Sequence, residues 1–202
     1  MEINYQNISK VYLNYLSETS KEFDTENKID RLLLDCIADN KHLWKLEDVA
    51  RMQHLGFESV AKAKLEIDVV NQRRNETINK LDSLLDKHLC NAQLESPSKF
   101  YSESPGMLLD RLAILFIKQN FIRQLIGKID EKNLKSEYLE KEQLLNQNIT
   151  DLGLFTDLYF DKIRKGETYF KIYQPLKIYN DHRIKNALRL LMKNDMVVIP
   201  YK

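Results

Sequence analysis

Apolar residues recur at three-and-four spacing along most of the chain, which predicts a mainly α-helical protein. Ile8, Val11, Tyr12, Tyr15 and Leu16 mark a first amphipathic helix. Asp24 or Thr25 can cap a second, whose stripe is Ile29, Leu33, Cys36 and Ile37. A bend is expected near Asp39-Asn40, before Leu43, Leu46 and Val49 resume the pattern. Gly56 punctuates, and Val60, Ala63, Ile67, Val70, Ile78, Leu81 and Leu85 then share one face. No Gly or Pro interrupts Phe57 to Leu89, so one long helix is expected there, about 50 Å at 1.5 Å per residue.

The periodicity lapses over residues 91–103, which carry Pro97 and three Ser and read as a loop. Ser104-Pro105-Gly106 opens the next helix, since Ser is a favoured N-cap and Pro at the first position loses no needed hydrogen bond. Met107 to Ile126 is apolar on nearly every side and belongs at the centre of a bundle. A charged helix follows over about residues 131–149, then a short one over 154–164. Tyr169, Phe170, Tyr173 and Tyr179 around Pro175 predict an extended C-terminal strap packed over the bundle. Asp181 can cap a last helix containing Ile184, Leu188 and Leu191, and Val197-Val198-Ile199 fits a short strand. The expected architecture is a single-domain helical bundle over residues 1–202, with a long helix, a central apolar helix and the strap.

Composition narrows the function classes. The 202 residues are 43% hydrophobic and 30% charged, with five Gly and four Pro, which excludes collagen-like and disordered chains. A formal charge of +1 supplies no field for nucleic acid or an anionic membrane. Residues 152–202 are basic, with ten Lys or Arg against five Asp or Glu, but overall neutrality weighs against an RNA partner. Cys36 and Cys90 lack metal or disulfide spacing and read as small buried hydrophobes. His42, His54, His88 and His182 are isolated, so no metal site is expected. Neither a phosphate-binding loop, a dinucleotide fingerprint nor a nucleophile elbow occurs, and no cofactor is expected. The N-terminus lacks the apolar core of a signal peptide, and Met107 to Ile126 carries too many polar residues to span a bilayer. A soluble cytoplasmic protein is expected.

Four places carry candidate chemistry. In the long helix, Arg74 falls within the apolar stripe, with Asn71 and Asn75 on its edge and Asp68 and Gln72 on the flank. A guanidinium facing a core needs a carboxylate or an anionic ligand, so Arg74 reads as an internal ion pair or an anion site. In the central helix, Asp110, Arg111 and Lys118 surround Ile114 and are hard to explain as a solvated face. The helix start at Ser104-Pro105-Gly106 offers amide donors to a phosphate. Third, Trp44 stands close to Glu47 and Arg51, which are spaced for a surface pair or, with the Trp, for the wall of a pocket. Fourth, Lys177, Tyr179, Asn180 and Asp181 interleave charge and aromatic character, as in a packed strap or a single-strand binder.

Together these blocks resemble an uncharacterised bacterial family, domain of unknown function 4254. The resemblance rests on Leu43-Trp44, Glu47-Asp48, Arg51, Lys64, Ile67-Asp68, Asn71-Gln72, Arg74-Asn75 and Ile78. It continues through Ser104-Pro105-Gly106, Leu109-Asp110-Arg111-Leu112, Ile114-Leu115 and Lys118, and ends in Tyr173-Gln174, Lys177 and Tyr179-Asn180-Asp181. It covers about residues 40–186, with departures at Ala113, Pro175 and His182. The resemblance implies a helical cytoplasmic protein associated with glycosyltransferases for surface polysaccharide or lipopolysaccharide. It implies no catalytic residues.

Three readings follow. In the first, Arg74, Arg111 and Lys118 meet a phosphate or carboxylate of a sugar phosphate or nucleotide-sugar, oriented by Glu47, Asp68 and Asp110 and walled by Trp44 and Tyr179. In the second, Asp110 or Asp68 acts as acid or base in an enzyme working on a phosphorylated sugar. In the third, the charges only fix helix register in a bundle that binds a glycosyltransferase or a second copy of itself.

Overall fold

The N-caps that open the helices are Asn4, Asn27, Ser104 and Glu131, whose side chains accept from backbone N–H groups of the first turn, while Gly56 stands at the remaining start. In a computed structural model that describes residues 3–17, 27–90, 99–173, 184, 186 and 187, they begin α1 (Tyr5–Leu16), α2 (Lys28–Arg51), α3 (Phe57–Leu89), α4 (Pro105–Ile126) and α5 (Lys132–Arg164). A 3-10 turn, Gln53–Leu55, joins α2 to α3, and the strands β1 (Lys99–Phe100) and β2 (Thr168–Tyr169) pair in parallel. Residues 1–172 form one compact unit and 173–202 a second.

The main core joins α1, α2, α4, α5 and the second half of α3, with Tyr12, Leu33, Leu81, Leu85, Leu108, Leu112 and Phe160 inaccessible to solvent. Beyond it, Leu43, Leu46, Ile67 and Val70 form a smaller core that α2 and α3 share by themselves. Helix α4 carries ten buried residues, consistent with a central position. Among the described residues, no helix is long and apolar enough to cross a membrane.

Two helices differ from the sequence expectation. Helix α2 runs unbroken through Asp39-Asn40, whose side chains are buried against polar partners on neighbouring helices. Helix α5 is continuous where two helices are expected. Gly153 is not a break. A Cβ there would stand 2.5 Å from the Tyr5 ring, so the glycine admits α1 against α5.

Of the aromatic strap, Thr168–Tyr169 is extended, and Thr168 Oγ1 donates to Lys99 O at 2.5 Å. Strand β1 therefore forms inside the segment expected as a loop. Phe170 is buried. The expected strand Val197–Ile199, and the last helix apart from positions 184, 186 and 187, lie outside the described residues.

Candidate functional site

The apolar stripe of α3 turns Arg74 toward α4, where Asp110 receives it. Arg74 Nε donates to Asp110 Oδ1 at 2.7 Å and Nη2 donates to Oδ2, a bidentate pair. Asn40 Nδ2 donates to the same Oδ1 at 2.7 Å and to Cys36 O at 2.9 Å. The Cys36 thiol adds a weak contact to Oδ1 at 3.6 Å. Asp110 is 5% exposed, so its carboxylate is satisfied within the protein and has no open side toward a ligand. The hydrogen bond to Asp110 raises the pKa of Arg74, and burial raises that of Cys36 well above an ordinary thiol. Tyr12, wholly buried beside Cys36, donates to Leu109 O at 3.1 Å.

One residue earlier on each of α2 and α3, Asp39 takes a second arginine. Arg73 donates to Asp39 Oδ1 through Nε at 2.8 Å and through Nη2, while Asp39 Oδ2 is buried without a hydrogen-bond partner among the described residues. Asp39 and Arg73 were not candidates from the sequence. Adjacent arginines point about 100° apart on a helix, so only packing shows that both reach α2 or α4 carboxylates.

The helix start at Ser104-Pro105-Gly106 has a structural use. Asp82 of α3, 2% exposed, accepts from Ser104 Oγ and from the Gly106 N–H, each at 2.6 Å. A Cβ on Gly106 would stand 2.7 Å from Ile78 O, so the glycine serves close backbone approach between α3 and α4. The amide expected for a phosphate is bound to a carboxylate instead. Asp82 sits beside Leu81 on the helical wheel, a signal the apolar stripe alone does not reveal.

The other candidates spread over the surface. Arg51 pairs with Asp48 at 2.5 Å and lies 3.8 Å from Glu47, all on the exposed side of α2. Asp68 is exposed, and Asn71 and Asn75 are half-buried. Arg111 pairs with Glu103 at 2.7 Å and is exposed, as is Lys118. Met107, Arg111, Lys118 and Phe121 form the solvated stripe of α4, which two apolar members disguise in the sequence. Lys177, Tyr179, Asn180 and Asp181 lie outside the described residues. Among the described residues, no cluster of three or more His, Cys, Asp or Glu could hold a metal.

Trp44 opens onto a groove. Its ring lies 5.6 Å from that of Phe121, centroid to centroid, and together they wall a cavity of about 360 Å³ between α2 and α4, which Leu16 of α1 also lines. Lys41, Lys45 and Asp48 of α2 and Asn120 and Gln124 of α4 supply its polar lining. Lys41 also sits 5.4 Å from the Tyr15 ring centroid. An aromatic wall with two ammonium groups and two carboxamides can stack on a ring, meet an anion and bond hydroxyls.

No curated protein matches the chain, and no solved structure does. The family model described as a protein of unknown function, DUF4254, matches residues 30–172. That span holds Trp44, Arg74, Asp82 and Asp110 and stops short of the expected tail block from Tyr173. The chain belongs to the DUF4254 family.

Proposed function

We propose that the protein binds an anionic sugar-type ligand, a sugar phosphate or nucleotide-sugar, in the Trp44 groove and supports assembly of a cell-surface glycan. The observation that carries this is the groove itself, in which Trp44 and Phe121 make an apolar corner beside Lys41, Lys45, Asn120 and Gln124. Aromatic faces suit sugar or base rings, and carboxamides suit hydroxyls. The ammonium groups suit phosphate. The glycan context comes from the family resemblance, and the same reading puts the protein in the cytoplasm with activated sugars. Arg74 and Asp110 then support the groove's helices rather than touch the ligand. The enzyme alternative is the weaker one, because Asp110 is enclosed by protein partners.

Trp44 is the only Trp in the chain, so its fluorescence reports the groove directly. Titration with a nucleotide-sugar should give a saturable change that neutral sugar and inorganic phosphate do not reproduce. Lys45→Glu should weaken it about tenfold, the equivalent of about 1.4 kcal/mol. A flat titration across nucleotide-sugars and sugar phosphates, with no thermal shift, overturns the reading.

A partner-binding bundle is the second reading, and one observation favours it. Phe57, Leu65 and Val69 of α3, eight and four residues apart, are 97%, 70% and 65% exposed. Self-association lost in Leu65→Glu, with a flat Trp44 titration, would establish that reading over ligand binding.

A further inference from the structure

Helix α3 carries a second pattern on the side turned away from its buried stripe. Glu58, Lys62, Leu65, Val69, Gln72 and Glu76 alternate four- and three-residue spacing, and Lys80 continues the line. At 100° per residue these positions share an arc of about 80°, well away from the buried Ala63, Ile67, Val70 and Thr77. Each of them is exposed. Read from the helix start, the stripe runs acidic, basic, apolar, apolar, amide, acidic, basic. Glu58, Lys62 and Lys80 enter no ion pair among the described residues, and Glu76 accepts from Gln72 Nε2 at 3.2 Å.

A partner for this face has to cover Leu65 and Val69 and answer the four charges in that order. A second copy laid parallel sets like charge against like at every position. Laid antiparallel about a two-fold axis at Val69, it sets its Lys80 against Glu58 and its Glu76 against Lys62, because each pair lies equally far to either side of position 69. The symmetry makes both pairs twice, and Leu65 falls on the aliphatic stems of Gln72 and Arg73 of the second copy. Sliding the copies by one turn sets Glu58 against Glu76 or Lys62 against Lys80, so the charges select register as well as direction. We infer that the face of α3 from Glu58 to Lys80 pairs antiparallel with the same face of a second copy, with Val69 on the two-fold axis. The inference rests on the partner-binding reading of this face, whose partner it names, and not on the Trp44 groove. The paired stretch is one helix wide and about 33 Å long at 1.5 Å per residue. Its area therefore belongs with weak interfaces, below about 1,200 Å², and the dimer dissociates on dilution.

Sedimentation velocity of the full chain over a concentration series should show a monomer–dimer equilibrium that Leu65→Glu abolishes. Lys62→Glu and Glu76→Lys should each weaken dimerisation by about tenfold or more, since symmetry reverses two pairs at once. Combining the two changes restores opposite charges and should recover most of the loss. Oxidative crosslinking reads the register in a Cys90→Ser background, where the remaining Cys36 is buried. Val69→Cys should form an intermolecular disulfide. Glu58→Cys alone should not, because the two copies of that position stand about 33 Å apart. Circular dichroism of each variant separates lost pairing from lost fold, and a mixture of Glu58→Cys with Lys80→Cys reads the same register if Val69→Cys does not fold. A dimer lost in Leu65→Glu but indifferent to both charge reversals, or lacking these crosslinks, would keep self-association on this face and overturn the antiparallel pairing. A chain that stays monomeric at its highest soluble concentration would overturn the pairing and the self-association reading together.

Discussion

Arg74 and Asp110, thirty-six residues apart, form a bidentate ion pair that ties α3 to α4, and Asn40 of α2 completes it through Asp110 Oδ1 at 2.7 Å. Three helices therefore share one carboxylate. The side chains of Arg74 and Asp110 are 24% and 7% exposed, so removing Arg74 strands a buried carboxylate, whereas Arg74 keeps partial access to water.

Arg74→Ala should destabilise the protein by about 3 kcal/mol, the lower end for a broken buried pair, since Arg74 keeps some contact with solvent. Arg74→Met with Asp110→Leu should cost less than the sum of the two single changes, because no unpaired charge remains. Urea unfolding of the four proteins gives the coupling. A coupling near zero would mean that the pair does not hold α3 to α4.

Asp82 should give stability an unusual slope with pH. Burial, its largest influence, raises its pKa above the ordinary 3.8, against the lowering effect of Ser104 and Gly106. The folded state then holds that proton more tightly than the unfolded state. Its contribution is most favourable below the ordinary pKa and is lost as pH rises through the folded value. Asp82→Asn should therefore flatten the stability profile in the acid range above the ordinary 3.8, with the sign of a stability gain relative to wild type as pH rises. Melting temperatures of both proteins across the acid range test this, and parallel curves would refute it.

Gly106→Ala should destabilise by about 1–3 kcal/mol, the usual cost of overpacking. The added methyl would meet Ile78 O at 2.7 Å and Asp82 Oδ1 at 2.8 Å, and the first of these is backbone. An Ala variant as stable as the parent would show that α4 can shift away from α3 freely.

Cys90, read from the sequence as buried, is exposed, yet its thiol should react slowly at neutral pH. Partial burial, the Asp86 hydrogen bond and the Asp86 charge push its pKa up to about 12. Asp86→Asn removes the charge and should speed alkylation of Cys90 several-fold, while buried Cys36 stays unmodified until the protein unfolds. Mass spectrometry of iodoacetamide-treated protein reads both sites. An unchanged Cys90 rate in Asp86→Asn would remove Asp86 as the cause.

Much of the helical layout was legible in the chain. The Gly- and Pro-free run fixed α3 at Phe57–Leu89, and the Ser-Pro-Gly signal fixed the start of α4. Local readings failed where a residue's reason was distant. The helices expected over 131–149 and 154–164 are one helix, and Gly153 within it is small because Tyr5, 148 positions earlier, packs there. Asp39-Asn40 looked like a bend because their partners are on α3 and α4.

The candidate site divides the same way. Arg74 on an apolar stripe required an anionic partner on desolvation grounds alone, and Trp44 stood out as a wall. Arg111 and Lys118 looked internal because Met107 and Phe121 made the exposed side of α4 apolar in sequence. Asp82 escaped notice because a polar residue beside a stripe is ordinary until a helix N-terminus is laid against it.

The sequence by itself determined the helical class, the long helix, the central helix and the need to neutralise Arg74, since these follow from periodicity, capping chemistry and the cost of burying charge. Tertiary structure alone decided which carboxylate answers which arginine, that the Gly106 N–H meets Asp82 of α3, and that a groove walled by Trp44 and Phe121 opens between α2 and α4. Those outcomes depend on helix rotation and spacing, which are set by the summed packing of all five α-helices among the described residues and not by any local pattern.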